Sequence, residues 1–308
     1  MQAIARYIMR GRMQAMLVAA VMAMLSLLLP PLNYISSAVV GLVTLRKGWS
    51  EGLIIIAGAG AATALFASLT PLDALHAVLL AAAIWLPVWM LALVLRRTVS
   101  LAATVGSAAL AGGVIVIGAY LSLDNPAQAW RDVLERLIDL AQEQNELTAA
   151  DTLGQMLMDA APHMTGMLAA ALVLGLLLSL FLARWWQAAL YNPGGFRREF
   201  QALRLGRGFA LVTIGAVAAS IAASGWFGEV AANVLIVLVA AYLVHGLGLM
   251  HGIVAAKQIH TGWLITLYAV TLILPQSSLL LAAGAFADSW MDIRARIKKK
   301  DGPAGHET

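Results

Sequence analysis

Residues 74–97 read ALHAVLLAAAIWLPVWMLALVLRR: 22 residues without an acid, a lysine or an arginine, closed by Arg96-Arg97. About 20 apolar residues carry a helix across the hydrocarbon core of a bilayer. An ion left inside that core costs on the order of several kcal/mol. The stretch therefore predicts a transmembrane helix with a basic pair at one mouth. Similar apolar runs lie on both sides of it, at 13–29, 34–45, 52–69, 101–121, 164–182, 208–224 and 230–250, and a last run at 259–287 is broken by Pro275-Gln276.

Charge is confined between these runs. Eighteen of the 20 Lys and Arg residues fall in short clusters, whereas eight of the 16 acids fall between Asp124 and Asp159. Basic loops stay in the cytoplasm. The group Arg6, Arg10 and Arg12 sets the N-terminus inside. If 34–45 crosses, Arg46-Lys47, Arg96-Arg97, the run from Arg184 to Arg207, and Lys257 also fall inside, and the acidic segment falls outside. The tail (Arg294, Arg296, Lys298, Lys299, Lys300) joins them if the last run folds into a hairpin at Pro275. The expected fold is an all-α, polytopic transmembrane bundle of eight to ten helices with both termini cytoplasmic, in the inner membrane of a bacterium.

Composition narrows the function. With 61% hydrophobic and 12% charged residues, the chain is not an ordinary soluble domain. A net charge of +4 could suggest nucleic acid. The basic residues instead sit in pairs and triplets beside apolar runs, where they set topology and meet lipid headgroups. There is no cysteine, hence no disulfide, thiolate metal site or cysteine nucleophile. The N-terminal run imitates a signal peptide, but Pro30-Pro31 stands where a cleavage site would be, so a retained first helix is expected.

The chain divides into a five-span half (1–122), an acidic outside segment (123–163), a second membrane half (164–291) containing an elbow at 184–207, and a basic tail (292–308). In the outside segment Asn125-Pro126 is a helix start. Trp130, Val133, Leu134, Leu137, Ile138 and Ala141 then share one face, opposite Asp132, Glu135, Arg136, Asp139 and Glu143. Thr148 with Asp151 resembles a capping box for a second helix. The segment is read as a lid on the helix ends, a gate over a cavity, or a protein contact.

The elbow holds Tyr191-Asn192-Pro193-Gly194-Gly195-Phe196-Arg197-Arg198-Glu199-Phe200. Asn-Pro-Gly-Gly is a turn, and Phe196, Phe200 and Leu203 recur at helical spacing with arginines between them. This describes an amphipathic helix on the inner leaflet, anchored by Arg184, Trp185 and Trp186, that joins two spans or docks a cytoplasmic partner. Small residues recur every four positions at Ala15, Ala19 and Ala23, at Ala109 and Gly113, and at Gly248 and Gly252. Such stripes let backbones approach, within the chain or across to a partner.

No enzymatic chemistry is legible. His245 and His251 are six residues apart and point away from each other on a helix, so no metal pair forms. No cofactor loop and no Walker lysine appear. Glu51, Asp73, Glu229 and Asp288 all lie at the ends of runs, which disfavours self-contained ion-coupled transport. His245 either bonds to neighbouring backbone or has a polar role within the membrane, near Asn233 and Tyr242.

Tyr191–Leu205, His251-Gly252 and Ala287-Asp288-Ser289-Trp290 together resemble the YybS-like predicted membrane proteins, a bacterial family of unknown function, over most of the chain. That resemblance implies no catalytic role. The first third is similar, more distantly, to the S-components of energy-coupling factor transporters. It shares a small-residue first helix, then Pro30-Pro31, then a short helix ending Leu45-Arg46-Lys47-Gly48-Trp49. The resemblance implies that Ala15, Ala19 and Ala23 pack against a membrane partner. Two functions follow as expectations. One is a small-molecule binding or translocating subunit, with an outward pocket near Asn33, Tyr34, Trp85 and Asn233, and with His245 as a further candidate. The other is a scaffold that meets lipid or partners through Asn192, Gly194, Gly195, Phe196, Arg197, Arg198 and the basic tail.

Overall fold

The computed structural model describes residues 2–69, 73–143 and 150–300. Among them the chain forms α1 (Gln2–Arg10), α2 (Arg12–Leu25), α3 (Leu32–Lys47), α4 (Trp49–Ser68), α5 (Ala74–Thr98), α6 (Leu101–Ser122), α7 (Pro126–Glu143), α8 (Ala150–Ala160), α9 (Met164–Tyr191), α10 (Gly195–Gln201), α11 (Arg207–Ala222), α12 (Trp226–Ala256), α13 (Gly262–Ile273), α14 (Ser277–Met291) and α15 (Ile293–Lys300). Helices α4, α5, α6 and α12, and α9 with the turn before it, are long and apolar enough to cross a bilayer unaided. Helices α2 and α11 are apolar but shorter, at 14 and 16 residues. Helices α13 and α14, of 12 and 15 residues, are bent by 120° at the break around Pro275, and neither alone has the length of the spans above.

Local sequence explains most boundaries. The Asp73 carboxylate caps α5 by accepting from the backbone N–H groups of Leu75 (2.7 Å) and His76 (3.1 Å). Ser100 caps α6 by accepting from Ala103 N–H at 3.1 Å. Asn125 caps α7 by accepting from Gln128 N–H at 3.0 Å. Each cap satisfies a donor that the first turn leaves free.

Helix α3 is the centre of the first half. Ser36 to Leu45 are all buried, and the helix packs against α2, α4, α5 and α9. With neighbours on every side it has no polar face, which explains its all-round apolar sequence. Its length of about 24 Å is below the thickness of the hydrocarbon core, about 30 Å. Its C-terminal carbonyl at Leu45 accepts from Arg96 Nη1 at 2.7 Å and Gln187 Nε2 at 3.4 Å.

Those contacts also fix the two faces of the bundle. On one face Arg12 bonds Glu51 (Nε to Oε2, 2.9 Å), Arg46 stacks 4.2 Å above the Tyr191 ring, and Arg294 reaches Gln201. Every basic cluster flagged in the sequence that lies among the described side chains gathers there. On the opposite face Trp226 Nε1 donates to Tyr120 O (3.2 Å), Trp130 Nε1 donates to Thr165 Oγ1 (3.0 Å), and Asn233 joins Pro162 to Tyr120. The acidic helix α7 lies on this second face.

Three details depart from the sequence reading. Residues 2–10 form a separate amphipathic helix, with Ala5 and Ile8 buried, packed on α2 and α9. Helix α7 docks through Leu134 and the half-buried Trp130 and Ile138, while Val133 and Leu137 remain exposed. It therefore covers the helix ends incompletely. The proposed cap at Thr148 lies outside the described residues, and the Ala141 side chain is not described. Trp186 is fully buried rather than an interface anchor, whereas Trp185 is partly exposed.

Candidate functional site

The elbow is built by a turn and then pinned to the bundle. Gly194 has φ +79°, a left-handed conformation that L side chains resist, and it opens α10. Phe196 and Phe200 do not face the inner leaflet. Their rings pack on Phe181 of α9 (5.8 Å each) and on each other (5.9 Å), and Phe200 also meets the His251 ring of α12 at 5.3 Å. The α9 residue Arg184 pairs with Glu199, closing the same contact electrostatically. The small residues of α12 permit the approach. A methyl group at Gly248 would lie 2.7 Å from Phe200 O, and one at Gly252 would lie 2.9 Å from Gln201 O. The Gly248/Gly252 stripe thus works inside the chain, as a seat for the elbow backbone.

Beneath the elbow lies a buried polar hub. Asp288, near the end of α14, is completely buried. Its Oδ1 accepts from Ile293 N–H at 2.7 Å, and its Oδ2 accepts from Arg294 Nη2 at 2.8 Å and lies 3.0 Å from His245 Nε2. A carboxylate oxygen at that distance places a hydrogen on Nε2, and the buried Nδ1 has no partner among the described residues. The guanidinium of Arg294 also donates to Gln201 O (2.6 Å) and Leu203 O (2.9 Å). Arg204 reaches back from the elbow to Asp288 O (2.9 Å), Ser289 O (3.3 Å) and Asp292 Oδ2 (2.8 Å). Arginine's planar fork suits such multiple acceptors. The two arginines therefore bind the elbow and the C-terminal segment into one unit, each donating into the other's backbone.

Above the hub opens a cleft of about 580 Å³, with Arg198, Arg204, Arg294 and Asp292 on its walls and small residues, including Ala202 and Ala295, between them. Arg204 and Arg294 are oriented by the hub. Arg198 is exposed, and its side chain has no partner among the described residues. The cleft offers fixed positive charge to an anionic group arriving at the basic face.

The residues expected around an outward pocket separate. Trp85 is fully buried, and its Nε1 donates to Ser36 Oγ (2.9 Å), which in turn donates to Ala19 O (2.7 Å). It ties α5, α3 and α2 together. Asn233 is also fully buried: its Oδ1 accepts from Gly166 N–H at 2.6 Å, and its Nδ2 lies 2.9 Å from both Pro162 O and Glu229 O and 3.1 Å from Tyr120 OH. Both side chains have their polar atoms engaged with the protein, which removes them as ligand contacts. Tyr34 packs toward Gly175 of α9, Asn33 borders a cleft of about 210 Å³, and the buried Asn233 backs a second of about 220 Å³ beside Pro162 and Glu229.

His245 belongs to the hub at the other end of the molecule. Its bond is to Asp288 and not to neighbouring backbone; it is His251 whose Nδ1 lies 2.9 Å from the carbonyl of Leu247, one turn earlier. Ala15, Ala19 and Ala23 are 1%, 0% and 8% exposed, packed inside the chain and unavailable as a partner surface. Asn192, Gly194, Arg197 and Arg198 are exposed on the elbow, and Gly195 is buried in its turn.

The hub escaped the sequence reading because its members are far apart. His245 and Asp288 are separated by 43 residues and Arg204 and Asp292 by 88. The only local signal was an acid six residues before an arginine, at Asp288 and Arg294. No curated protein and no solved structure matches the chain. The sequence model of the family described as "Predicted membrane protein (DUF2232)" matches residues 17–289, and the chain belongs to that family of membrane proteins of unknown function.

Proposed function

We propose that the protein is a non-catalytic platform of the bacterial inner membrane, and that its basic cytoplasmic face docks an acidic segment of a partner protein. One observation carries this reading. The elbow and the C-terminal segment, both basic, are locked together by Arg204 and Arg294 and jointly wall one cleft. A surface made only to meet lipid headgroups needs no such buried framework. Rigid presentation of charge favours a specific contact, because less ordering is required on binding.

The test is charge reversal at the two exposed arginines outside the hub, Arg197→Glu with Arg198→Glu, in tagged protein purified from native membranes. The reading predicts normal insertion and yield together with loss of the partners that co-purify with the unaltered protein. An unchanged partner set sinks it. The second reading, a small-molecule binding or translocating subunit, is supported by the outward spaces beside Asn33 and beside Glu229 and Asn233. The sealed positions of Trp85, Asn233 and the Ala15/Ala19/Ala23 stripe count against a large substrate chamber and against docking by that stripe.

A further inference from the structure

The C-terminal ends of α3 and α5 meet α9 around a smaller cleft on the basic face, of about 150 Å³, lined by Leu45, Leu95, Arg96, Val99, Arg184 and Gln187. A void left by imperfect packing is apolar. Here Arg96, Arg184 and Gln187 bring side-chain N–H donors to the wall, and no lining residue is an acid.

Each donor is held by the protein and keeps hydrogens to spare. Arg96 is exposed and gives Nη1 to Leu45 O at 2.7 Å; its other four N–H groups have no partner among the described residues. Arg184, whose side chain is 15% exposed, directs Nε and Nη2 to Glu199 and Nη1 to Gln187 Oε1, which leaves two N–H groups. Gln187 gives one Nε2 hydrogen to Leu45 O at 3.4 Å and keeps the other. The Leu45 carbonyl, occupied twice, offers nothing further to a donor. Glu199 offsets the charge of Arg184, so Arg96 supplies the surplus, and Arg46, Lys47 and Arg97 directly follow lining residues in the chain.

The turn after α5 keeps Arg96 in place. Val99 closes that helix at φ +50°, its N–H bonded to Leu95 O at 2.9 Å. A left-handed conformation is a genuine outlier for a β-branched residue, and strain of that kind gathers at ligand clamps. A wall of donors with surplus positive charge and no acid selects an oxyanion, and guanidinium forks suit the oxygens of phosphate. The volume, that of about five waters, takes one phosphoryl group with some solvent and excludes a nucleotide or a peptide.

We infer that this cleft binds a single phosphate group through Arg96, Arg184 and Gln187, as free inorganic phosphate or as the headgroup phosphate of an inner-leaflet lipid. It shares no lining residue with the cleft between the elbow and the C-terminal segment, so neither reading depends on the other.

Val99→Cys puts the only thiol of the chain on the cleft wall. Full-length protein in phosphatidylcholine nanodiscs is labelled with uncharged N-ethylmaleimide, in sodium phosphate or in sodium chloride of equal ionic strength. Phosphate should slow the labelling where chloride does not. Gln187→Glu keeps an acceptor for Arg184 but puts a carboxylate in the cleft. It should raise the phosphate needed for half-protection about tenfold or more, as expected for one charge-assisted hydrogen bond. Arg96→Gln should do the same. Arg197→Glu with Arg198→Glu, the variant that tests docking, should leave protection unchanged. Nanodiscs containing phosphatidic acid identify the source. Slow labelling there without free phosphate, relieved by Gln187→Glu, marks a lipid headgroup; unaltered labelling marks soluble phosphate. A second readout needs no new thiol: phosphate should raise the melting temperature of the unaltered chain above that in matched chloride, and by more than it does for Gln187→Glu. No protection by phosphate beyond chloride, undiminished protection in Gln187→Glu and Arg96→Gln, or equal melting shifts with and without Gln187→Glu would overturn the proposal.

Discussion

Replacing Asp288 with alanine tests the hub most severely. The carboxylate is fully buried and holds three groups, Ile293 N–H, Arg294 and His245. Its loss would strand the Arg294 guanidinium, which is 12% exposed and would keep only the carbonyls of Gln201 and Leu203. Breaking one partner from a buried ion pair costs about 3–5 kcal/mol. The two remaining acceptors place this case near the lower end, about 3 kcal/mol. For a chain of this size that corresponds to a fall in melting temperature of roughly 4–5 °C. The control is Asp292→Asn, which removes the charge paired with Arg204 but keeps a residue suited to the left-handed backbone (φ +48°) and to accepting from Ala295 N–H; a half-exposed pair of that kind is worth about 0–1 kcal/mol. Thermal unfolding of both variants in lipid nanodiscs, followed by tryptophan fluorescence, measures the difference. The double variant Asp288→Asn, Arg294→Gln should recover part of the loss, because it removes the stranded charge. Equal melting temperatures for Asp288→Ala and Asp292→Asn would refute the argument that the hub binds the elbow to the tail.

Other perturbations probe separate parts of the fold. Asn233→Ala should destabilise by about 2 kcal/mol in the same assay, because Gly166 N–H and Pro162 O lose their partner; an unchanged melting temperature would show that the contact carries no weight. Gly252→Val should cost about 1–3 kcal/mol by overpacking and should raise hydrogen exchange in the elbow, whose Gln201 carbonyl approaches that position. The backbone N–H of His76, with lesser help from its side chain and from Leu75 N–H, holds the Asp73 carboxyl below its ordinary pKa. A lowered acid pKa contributes stability that is complete above the ordinary aspartate range and lost as pH falls through the folded value. Acidification should therefore fray the start of α5, and Asp73→Asn, which still caps, should remove that acid dependence; the readout is hydrogen exchange at Leu75 and His76 across pH.

The bundle was legible because hydrocarbon imposes simple requirements on sequence. Long runs without charge could only be buried or lipid-facing helices, and the observed starts at Ala74, Leu101 and Met164 fall where their apolar runs begin. Local caps were legible for the same reason: Asn125 acts on a backbone donor three residues away. What stayed hidden depends on side chains meeting across the fold. An Asn in an apolar run reads as a ligand contact, yet Asn233 serves as a joint between helices. Phenylalanines with arginines between them read as a lipid-facing helix, yet Phe196 and Phe200 turn inward because Phe181 and the glycines of α12 offer a seat. An aspartate near a helix end reads as solvated, yet Asp288 is covered by the elbow that follows α9 by way of a tight turn. The alanine stripe of α2 fits an intermolecular or an intramolecular contact equally well by spacing; only its neighbours decide.

The most direct test of the docking account is site-specific photo-crosslinking from the two walls of the basic cleft. A photoreactive residue at Ala202, on the elbow wall, and another at Ala295, on the C-terminal wall, both face the cleft and are both exposed. In native membranes the account predicts one and the same protein adduct from both positions, lost with Arg198→Glu and with Asp288→Ala. Different adducts from the two walls, lipid adducts alone, or an adduct indifferent to Asp288 would contradict it.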